Sequence, residues 1–379
     1  MYTARFENGI DAIPPDHWNG LFNTDYPFIQ HRFLQALETH QCVGKESGWL
    51  PQHLIIEQDG SLVAALPCYV KLHSYGEYLF DWSWADAYHR HGLAYYPKLV
   101  SAIPFTPSYG PRIGLATNSD PTTLYAVIGE ALSRRAEQLD ASGYQLLFAD
   151  EHTSQALTEQ GWLQRQDLQY HWLNPGDQDF EQYLTRFTAR KRKNIRKERQ
   201  GVAASALALN QHYGHEMSET QWQQFYRCYQ ATYLKRSGHG GYLSLALFQA
   251  LGREMGEQMV LFTAEQQGQI QAAALCFFDS GCLYGRYWGS LIDLPGLHFE
   301  LCYYQGIEFC LRQGLQRFDP GAQGQHKISR GFEPVTVWGN CVLMQPAFQQ
   351  AIEAFCQEEE EAVRELRQAL REQLPFRQG

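Results

Sequence analysis

The chain has 379 residues, of which 44% are hydrophobic and 14% aromatic, so it can bury the cores of two or three domains. This composition excludes an intrinsically disordered chain, and no apolar run approaches the ~18 residues of a membrane-spanning helix. The formal charge of −10 argues against a protein coated with nucleic acid, but it is compatible with one local phosphate contact.

The cysteines and the N-terminus indicate a cellular compartment. The nine cysteines are scattered, mostly in apolar runs such as "AALCFF" and "FELCYY", and no CxxC pair occurs. This usage is typical of buried, reduced thiols. The first residues, "MYTARFENGIDAIPPDHW", lack the pattern of a secretory signal. We therefore expect a cytoplasmic protein without disulfides. We also expect no metal site, because His89 and His91 near Asp86 have no second ligand pair.

The first half of the chain alternates helical and strand patterns. "FIQHRFLQALETH" predicts a helix, and a three-strand meander is predicted in "QHLIIEQ", "SLVAALPCYVKL" and "EYLFDWSWAD". "HGLAYYPKLVSAI" then predicts a helical stretch, "TTLYAVIGEALSRRAEQLDASG" a long helix and "YQLLFAD" a strand. Asn174, Pro175 and Gly176 end the preceding strand and mark a domain boundary, so we predict domains at residues 1–174 and 175–379. The alternative, one large mixed α/β domain, fits this length less well.

A strongly basic stretch follows that boundary. "RFTARKRKNIRKERQG", from Arg186 to Gly201, holds eight cations and one acid, and the remainder of the chain then carries −17. It predicts one helix that starts at Asp177 or Asp179 and stops at Gly201, with Phe180, Leu184, Phe187 and Ile195 on the packed face. The unremarkable interpretation is a solvated polar face. Like charges at i, i+4 repel, however, so this density of one sign favours an anionic ligand, a phosphate-bearing substrate or tRNA.

The second half repeats the plan of the first. A strand is predicted in "GVAASALALN", followed by two amphipathic helices and a meander of "QMVLFTAE", "IQAAALCFFD" and "CLYGRYWGS". A helix that ends at Gly314, the short strand "LQRFDPG", a strand around "TVWGNCVLM" and an acidic C-terminal helix complete the chain. This order resembles the GCN5-related N-acyltransferase (GNAT) fold. The sequence thus predicts a mixed-sheet α/β class with two tandem GNAT-like domains.

Longer strings resemble one particular branch of that superfamily. "RKRKNIRKERQGV", "FYRCYQATYLKR", "LYGRYWG" and "LHFELCYYQGIEFCLRQGLQRFDPGAQGQHKISRGFEP" resemble the FemAB-like family, linked by name to peptidoglycan biosynthesis or recognition. N-terminal strings such as "PFIQHRFLQALE" and "PFTPSYGPR" are similar to it as well.

The resemblance implies transfer of an aminoacyl group from aminoacyl-tRNA to an amine of a nucleotide- or lipid-linked muropeptide. It implies a lysine at the reacting centre, matched by Lys327, and a basic helix that holds substrate phosphates. The matching cations of that helix are Arg190, Arg192, Lys193 and Arg196. No long coiled-coil insertion like that of some Fem members is present.

Acyl transfer to an amine requires stabilisation of an oxyanion and movement of protons. Lys327 offers a cation for the oxyanion, Arg330 a phosphate contact and His326 a group that titrates near neutral pH. The glycines of the "DPGAQGQHK" loop permit close backbone approach to a ligand, whereas the alternative is an ordinary solvent-facing turn. His298 and Glu300 open the following helix, where Glu300 serves as a base or amine anchor, or only complements the helix dipole.

Two aromatic segments are candidate binding surfaces. Tyr284, Arg286 and Trp288 alternate on one predicted strand and therefore share a face, as pocket lining or as a half-buried aromatic ladder. Asp86 lies in the aromatic span at residues 75–88, where carboxylates among rings suit sugars or cationic amines.

The acyl donor is expected to be a co-substrate, with no bound cofactor. Acyl-CoA enzymes of the superfamily usually carry an R/Q-x-x-G-x-G/A turn, but "YWGSLIDLPGLHFE" stands in its place. Aminoacyl-tRNA is therefore the expected donor and acyl-CoA the alternative. Two further alternatives stay open: a non-catalytic muropeptide-binding protein, and an acyl-CoA-dependent N-acyltransferase of a small amine. The oligomeric state is not predicted.

Overall fold

The structure, a computed structural model, describes residues 1–322 and 324–377. Gln323, inside the predicted ligand-approaching loop, and residues 378–379 lie outside the described residues. The α-helices are α1 Pro15–Phe22, α2 His31–Thr39, α3 Trp82–Arg90, α4 Pro121–Gln138, α5 Glu151–Glu159, α6 Phe180–Thr185, α7 Ala189–Ala203, α8 Glu219–Ser237, α9 Leu245–Glu254, α10 Leu297–Phe299, α11 Gln305–Gln313 and α12 Pro346–Arg371. None of the helices in the described residues combines the length and apolarity that crossing a bilayer requires.

The strands are short in the first half and longer in the second. They are β1 Tyr2–Glu7, β2 Trp49–Pro51, β3 His53–Gln58, β4 Ser61–Leu66, β5 Tyr69–Lys71, β6 Lys98–Ser101, β7 Gly114–Leu115, β8 Gly143–Ala149, β9 Leu163–Leu173, β10 Ala208–Tyr213, β11 Met259–Gln266, β12 Gln269–Phe278, β13 Cys282–Ser290, β14 Arg317–Asp319 and β15 Glu333–Leu343.

Two compact units divide the chain. The first comprises Met1–Leu168 and Thr336–Leu366, and the second Gln169–Val335 and Arg367–Gly379. The chain thus passes between units within β9 and returns within β15. The return of Thr336–Leu366 to the first unit differs from a purely sequential division, because β15 pairs antiparallel with β8 of that unit. The domain boundary after residue 174 stays a prediction.

The first unit contains two sets of paired strands. One sheet has the order β1-β3-β4-β7 and is antiparallel throughout. In the other, β2, β5 and β6 pair antiparallel, and β6 then pairs parallel to β8, with Leu99 opposite Tyr144. Helix α4 packs on a core that includes Leu99, Ile128 and Leu146, all buried.

The second unit is a meander that ends in a parallel pair. β11, β12 and β13 form the antiparallel meander that the sequence predicts, and β10 pairs antiparallel with β11. β14 pairs parallel to β13, and the β9 residues Trp172 and Leu173 pair with β14. The helix predicted to end at Gly314 is confirmed, but it contains a π-helical turn at Glu300–Tyr304.

Two predicted elements in the first half are wrong. "EYLFDWSWAD" was expected as a strand, but α3 begins at Trp82, because Trp84 and Tyr88 lie four residues apart and bury one helical face. "HGLAYYPKLVSAI" was expected to be helical, but β6 begins at Lys98. Pro97 there disfavours a continuing helix.

The basic stretch also differs from its prediction, since it forms two helices. α6 ends at Thr185 and α7 begins at Ala189, with the intervening backbone N–H of Thr188 donating to the carbonyl of Pro375. α7 continues through Gly201 because Val202 is buried, which offsets the helix cost of glycine of about 1 kcal/mol. The predicted packed face is confirmed: Phe180, Leu184, Phe187 and Ile195 are all buried.

Candidate functional site

The parallel strands β13 and β14 stay together for only three residues. Cys282–Tyr284 face Arg317–Asp319, after which β13 continues to Ser290 while the chain leaves β14. The departing chain passes close to β13, where a Cβ on Gly321 would lie 3.1 Å from the carbonyl oxygen of Gly285. Gly321 also has φ of +87°, so both space and backbone require glycine there.

Lys327 follows in the segment that leaves the sheet, and it is buried in the interior. Its side chain is only 2% exposed, and its Nζ donates to the carbonyl oxygen of Gly321 at 2.5 Å. An ammonium group has three donors. No other hydrogen-bond partner of this Nζ is present among residues 1–322 and 324–377, so two N–H donors remain for a ligand. Burial lowers the pKa of Lys327 to about 8, opposed by the charge of Asp319.

Asp319 is linked to Lys327 through the backbone of Gly321. The backbone N–H of Gly321 donates to Asp319 Oδ1 at 2.9 Å, and the carbonyl of the same glycine accepts from Lys327. Asp319 is itself buried, and His171 Nε2 lies 3.6 Å from its Oδ1. The carboxylate therefore fixes the turn and favours the charged lysine. The sequence analysis missed Asp319, although a carboxylate at the carboxyl end of a strand was a usable signal.

Two histidines and a tyrosine lie beside the lysine. Tyr303 Oη and His326 Nε2 form a 2.8 Å hydrogen bond, and the His298 ring lies 5.2 Å from Trp288 and 6.2 Å from His326. Burial, His326 and then Arg236 lower the pKa of His298 to about 4. Burial, Arg330, Lys327 and Arg236 also lower the pKa of His326. Both imidazoles are therefore neutral at pH 7. Arg236, at the end of α8, was not predicted.

Arg330 is a structural connector in this arrangement. Its guanidinium donates to Tyr304 Oη at 3.1 Å, to the His326 carbonyl at 3.0 Å and to Glu198 Oε1 at 2.8 Å. It also lies 3.4 Å from the centroid of the Phe299 ring. Most of its donors are thereby engaged, so the predicted phosphate contact through Arg330 stays a prediction that this geometry does not favour.

The predicted alternation on β13 is interrupted. Leu275 faces Tyr287 and Cys276 faces Gly285, so Arg286 is the extra residue of a β-bulge. Tyr284 and Trp288 consequently lie on opposite faces, contrary to the expectation that they share one. Tyr284 is buried and donates to Asp279 at 2.6 Å, whereas Trp288 lies beside His298.

Two residues of the basic stretch, Glu198 and Arg199, anchor α7. Glu198 accepts from Arg330 and from Tyr304, and Arg199 binds Glu300 at 2.9 Å and Glu308 at 2.7 Å. Both carboxylate oxygens of Glu300 are held by Arg199, and the side chain is buried. Its role as a base or amine anchor is therefore not supported by the geometry, which gives Glu300 a structural role.

The other cations of α7 take no part in these contacts. Arg190 and Lys193 are exposed and Arg192 is half-buried, and among the described residues no ion pair neutralises these three. Arg196, in contrast, pairs with the exposed Glu181. The connection from Glu198 to Arg330 brings this basic helix to the segment of Lys327.

Asp86 lies on α3 of the first unit, exposed to solvent. No cluster of metal-binding side chains occurs within the described part of the chain.

The anchoring role of Arg199 is testable against its neighbour. Arg199→Ala leaves Glu300 buried without its cation, and we expect a loss of about 3 kcal/mol in the free energy of unfolding. Arg196→Ala removes only an exposed pair and should cost less than about 1 kcal/mol. Denaturant unfolding of both variants measures the difference. Equal losses in the two variants would contradict the assignment.

Comparison with known proteins identifies the class. The structure of FemX aligns with a TM-score of 0.53 and 10% identity, over 93% of this chain and all of that one. A conserved protein of unknown function from Bacteroides thetaiotaomicron gives 0.52 and 13%, over 90% and 100%. The C-terminal domain of a lysylphosphatidylglycerol synthetase candidate from Agrobacterium fabrum gives 0.51 and 10%, over 90% and 94%. No curated protein matches the sequence.

Fold and comparisons together give the fold class and the family of this chain. The class is mixed α/β with two tandem GNAT-like domains, as the sequence predicts. The model of the FemAB-like family, described as peptidoglycan biosynthesis/recognition, matches residues 9–378. The chain belongs to the FemAB-like family.

Proposed function

We propose that this chain is a Fem-type N-acyltransferase. It transfers an acyl or aminoacyl group to an amine of a phosphate-bearing cell-wall precursor, with the acyl donor as a co-substrate. Family membership supports the reaction class, and the family description together with the FemX likeness supports a cell-wall precursor as acceptor. Aminoacyl-tRNA is the proposed donor and acyl-CoA its competitor.

The observation that carries the proposal is the buried ammonium of Lys327, two of whose N–H donors have no acceptor among residues 1–322 and 324–377. A carbonyl oxygen that becomes negative during acyl transfer needs preorganised donors away from bulk water. Lys327 Nζ is fixed by Gly321 and meets this requirement. Neutral His326, held by Tyr303, is the proposed acceptor of the proton that the attacking amine releases.

Cations around this lysine suit a phosphate-bearing substrate. Arg236 lies close enough to lower the pKa of both His298 and His326. Arg190, Arg192 and Lys193 add positive charge on α7 without neutralising carboxylates in the described residues. Arginine binds phosphate bidentately, whereas lysine adds a point charge.

A ligand panel tests the proposal. Thermal stabilisation of the full chain is compared for CoA, charged tRNA and a muropeptide nucleotide, and acyl transfer from each donor to the muropeptide amine is then followed by mass spectrometry. We expect stabilisation by the muropeptide nucleotide and transfer from charged tRNA. Stabilisation by CoA with transfer to a small amine would assign the acyl-CoA alternative. Muropeptide binding without transfer from any donor would indicate a recognition protein.

The pH dependence of transfer reports the charge of Lys327. Since its pKa is lowered to about 8 and the cation is the active form, the rate should fall as the pH rises above about 8. Asp319→Asn removes the charge that raises this pKa, so the fall should begin at lower pH. Glu181→Gln, at an exposed carboxylate, is the matched control and should leave the profile unchanged. A rate that rises through pH 8 would instead make Lys327 a base.

A further inference from the structure

The segment of residues 72–82 in the first unit, here the aromatic loop, has an inverted distribution of polarity. Its polar side chains Ser74, Glu77 and Asp81 are buried. Four of its large side chains are exposed, with exposed fractions of 43% for Leu72, 57% for Tyr75, 39% for Phe80 and 39% for Trp82, whereas Leu79 is buried. Surface segments normally show the reverse, and a group of exposed apolar side chains marks an interaction surface.

Two buried lysines hold the loop in this inverted conformation. Lys98 Nζ donates to Glu77 Oε2 at 2.7 Å, to Ser74 Oγ at 2.9 Å and to Asp81. Lys71 Nζ donates to the carbonyl of Tyr75 at 3.2 Å. The polar groups of the loop are therefore turned towards the interior, and its backbone is fixed on both sides of Tyr75.

The exposed rings form one continuous surface. Phe80 and Trp82 stack at 5.7 Å with 22° between their planes, and Tyr75 meets Trp82 at 5.1 Å. His73 continues the row at 5.1 Å from Tyr75. Since the rings support each other and the backbone beneath them is fixed, this surface is preorganised for a partner.

We propose that the aromatic loop inserts into the interfacial region of a lipid bilayer. Tryptophan and tyrosine are enriched at that depth of a membrane. The segment contains no lysine or arginine, so its attachment is apolar and does not need anionic lipid. This proposal concerns the first unit and does not depend on the proposed acyl transfer.

Area and polarity favour a bilayer over other occupants. The four exposed side chains present roughly 400 Å², given about 150–250 Å² for each aromatic side chain. A stable protein–protein interface needs about 800 Å² from each partner. A glycan would require hydrogen-bonding groups beside the rings, but the carboxylates of the loop are engaged by Lys98. Membrane binding strengthens with the apolar area that is buried, so a surface of this size predicts reversible attachment to a bilayer.

Co-sedimentation of the full chain with phosphatidylcholine vesicles tests the proposal. We expect binding that is insensitive to salt and is not raised by added phosphatidylglycerol. The triple variant Tyr75→Ser, Phe80→Ser, Trp82→Ser should lower the partition coefficient at least about tenfold, because it removes most of the exposed apolar area. Leu234→Ser removes another exposed apolar side chain, 56% exposed in the second unit, and should leave binding unchanged.

The single variant Tyr75→Ser provides the same test with less risk to folding, which circular dichroism checks. We expect a partition coefficient about threefold below that of the native chain. Absence of vesicle binding by the native chain, or equal binding by the single variant, would overturn the proposal. Self-association that Tyr75→Ser abolishes would assign the surface to a second copy, and retention on a glycan matrix would assign it to a sugar.

Discussion

Lys327→Ala is expected to lower the rate of acyl transfer by a factor of about 10²–10³, the effect of removing one preorganised oxyanion donor. The residue is buried and held by Gly321, so no solvent cation can take its place. Binding of the phosphate-bearing substrate should change little, because the exposed cations of α7 are untouched. Single-turnover transfer and isothermal titration with the muropeptide nucleotide separate the two effects.

The control for this experiment keeps the charge. Lys327→Arg should retain more activity than the alanine variant, but less than the native chain, because a planar guanidinium does not reproduce the ammonium geometry. Its rate should also no longer fall above about pH 8, since arginine stays protonated there. Full activity in Lys327→Ala, with folding verified, would remove Lys327 from the chemistry. Loss of both binding and transfer would assign it to substrate anchoring.

The sequence predicted the fold best where periodicity was long and unambiguous. The second meander and the helix that ends at Gly314 appear as expected, since each spans many residues of one period. The failures in the first half lie in residues 77–101, where aromatic side chains are dense. Aromatic residues are enriched in strands, so "EYLFDWSWAD" matched the pattern of a strand. The segment forms a helix from Trp82 instead, because Trp84 and Tyr88 lie four residues apart and bury one helical face.

The sequence indicated which residues belong to the candidate site, but not which contacts they make with one another. Lys327, His326 and His298, which the sequence analysis gives as candidate site residues, lie close together, although their roles remain proposals. Sequence alone could not show that Glu300 is bound by Arg199, because the partners are a hundred residues apart. Nor could it show the bulge at Arg286, which depends on the register of β12 against β13. Such long-range pairings depend on tertiary packing, which local residue patterns do not encode.

The buried ionic cluster under the aromatic loop should dominate the stability of the first unit. Lys98→Ala leaves Asp81 buried without its cation and leaves Glu77 only the more distant Lys71, at 4.0 Å, so we expect a loss of about 3–5 kcal/mol in the free energy of unfolding. Although burial lowers it, Asp81 and Glu77 raise the pKa of Lys98, so the native lysine stays charged. Denaturant titration measures the loss, and Arg134→Ala, which removes an exposed pair with Glu130, should cost less than about 1 kcal/mol.

A second variant distinguishes an unpaired charge from lost packing in this cluster. Lys98→Ala combined with Asp81→Asn removes the carboxylate that has lost its cation, so the double variant should be more stable than Lys98→Ala alone. If packing of the lysine stem dominated, the second substitution would add its own loss instead. A loss below about 1 kcal/mol for Lys98→Ala would mean that water reaches both carboxylates, and the cluster would then contribute no more than a surface ion pair.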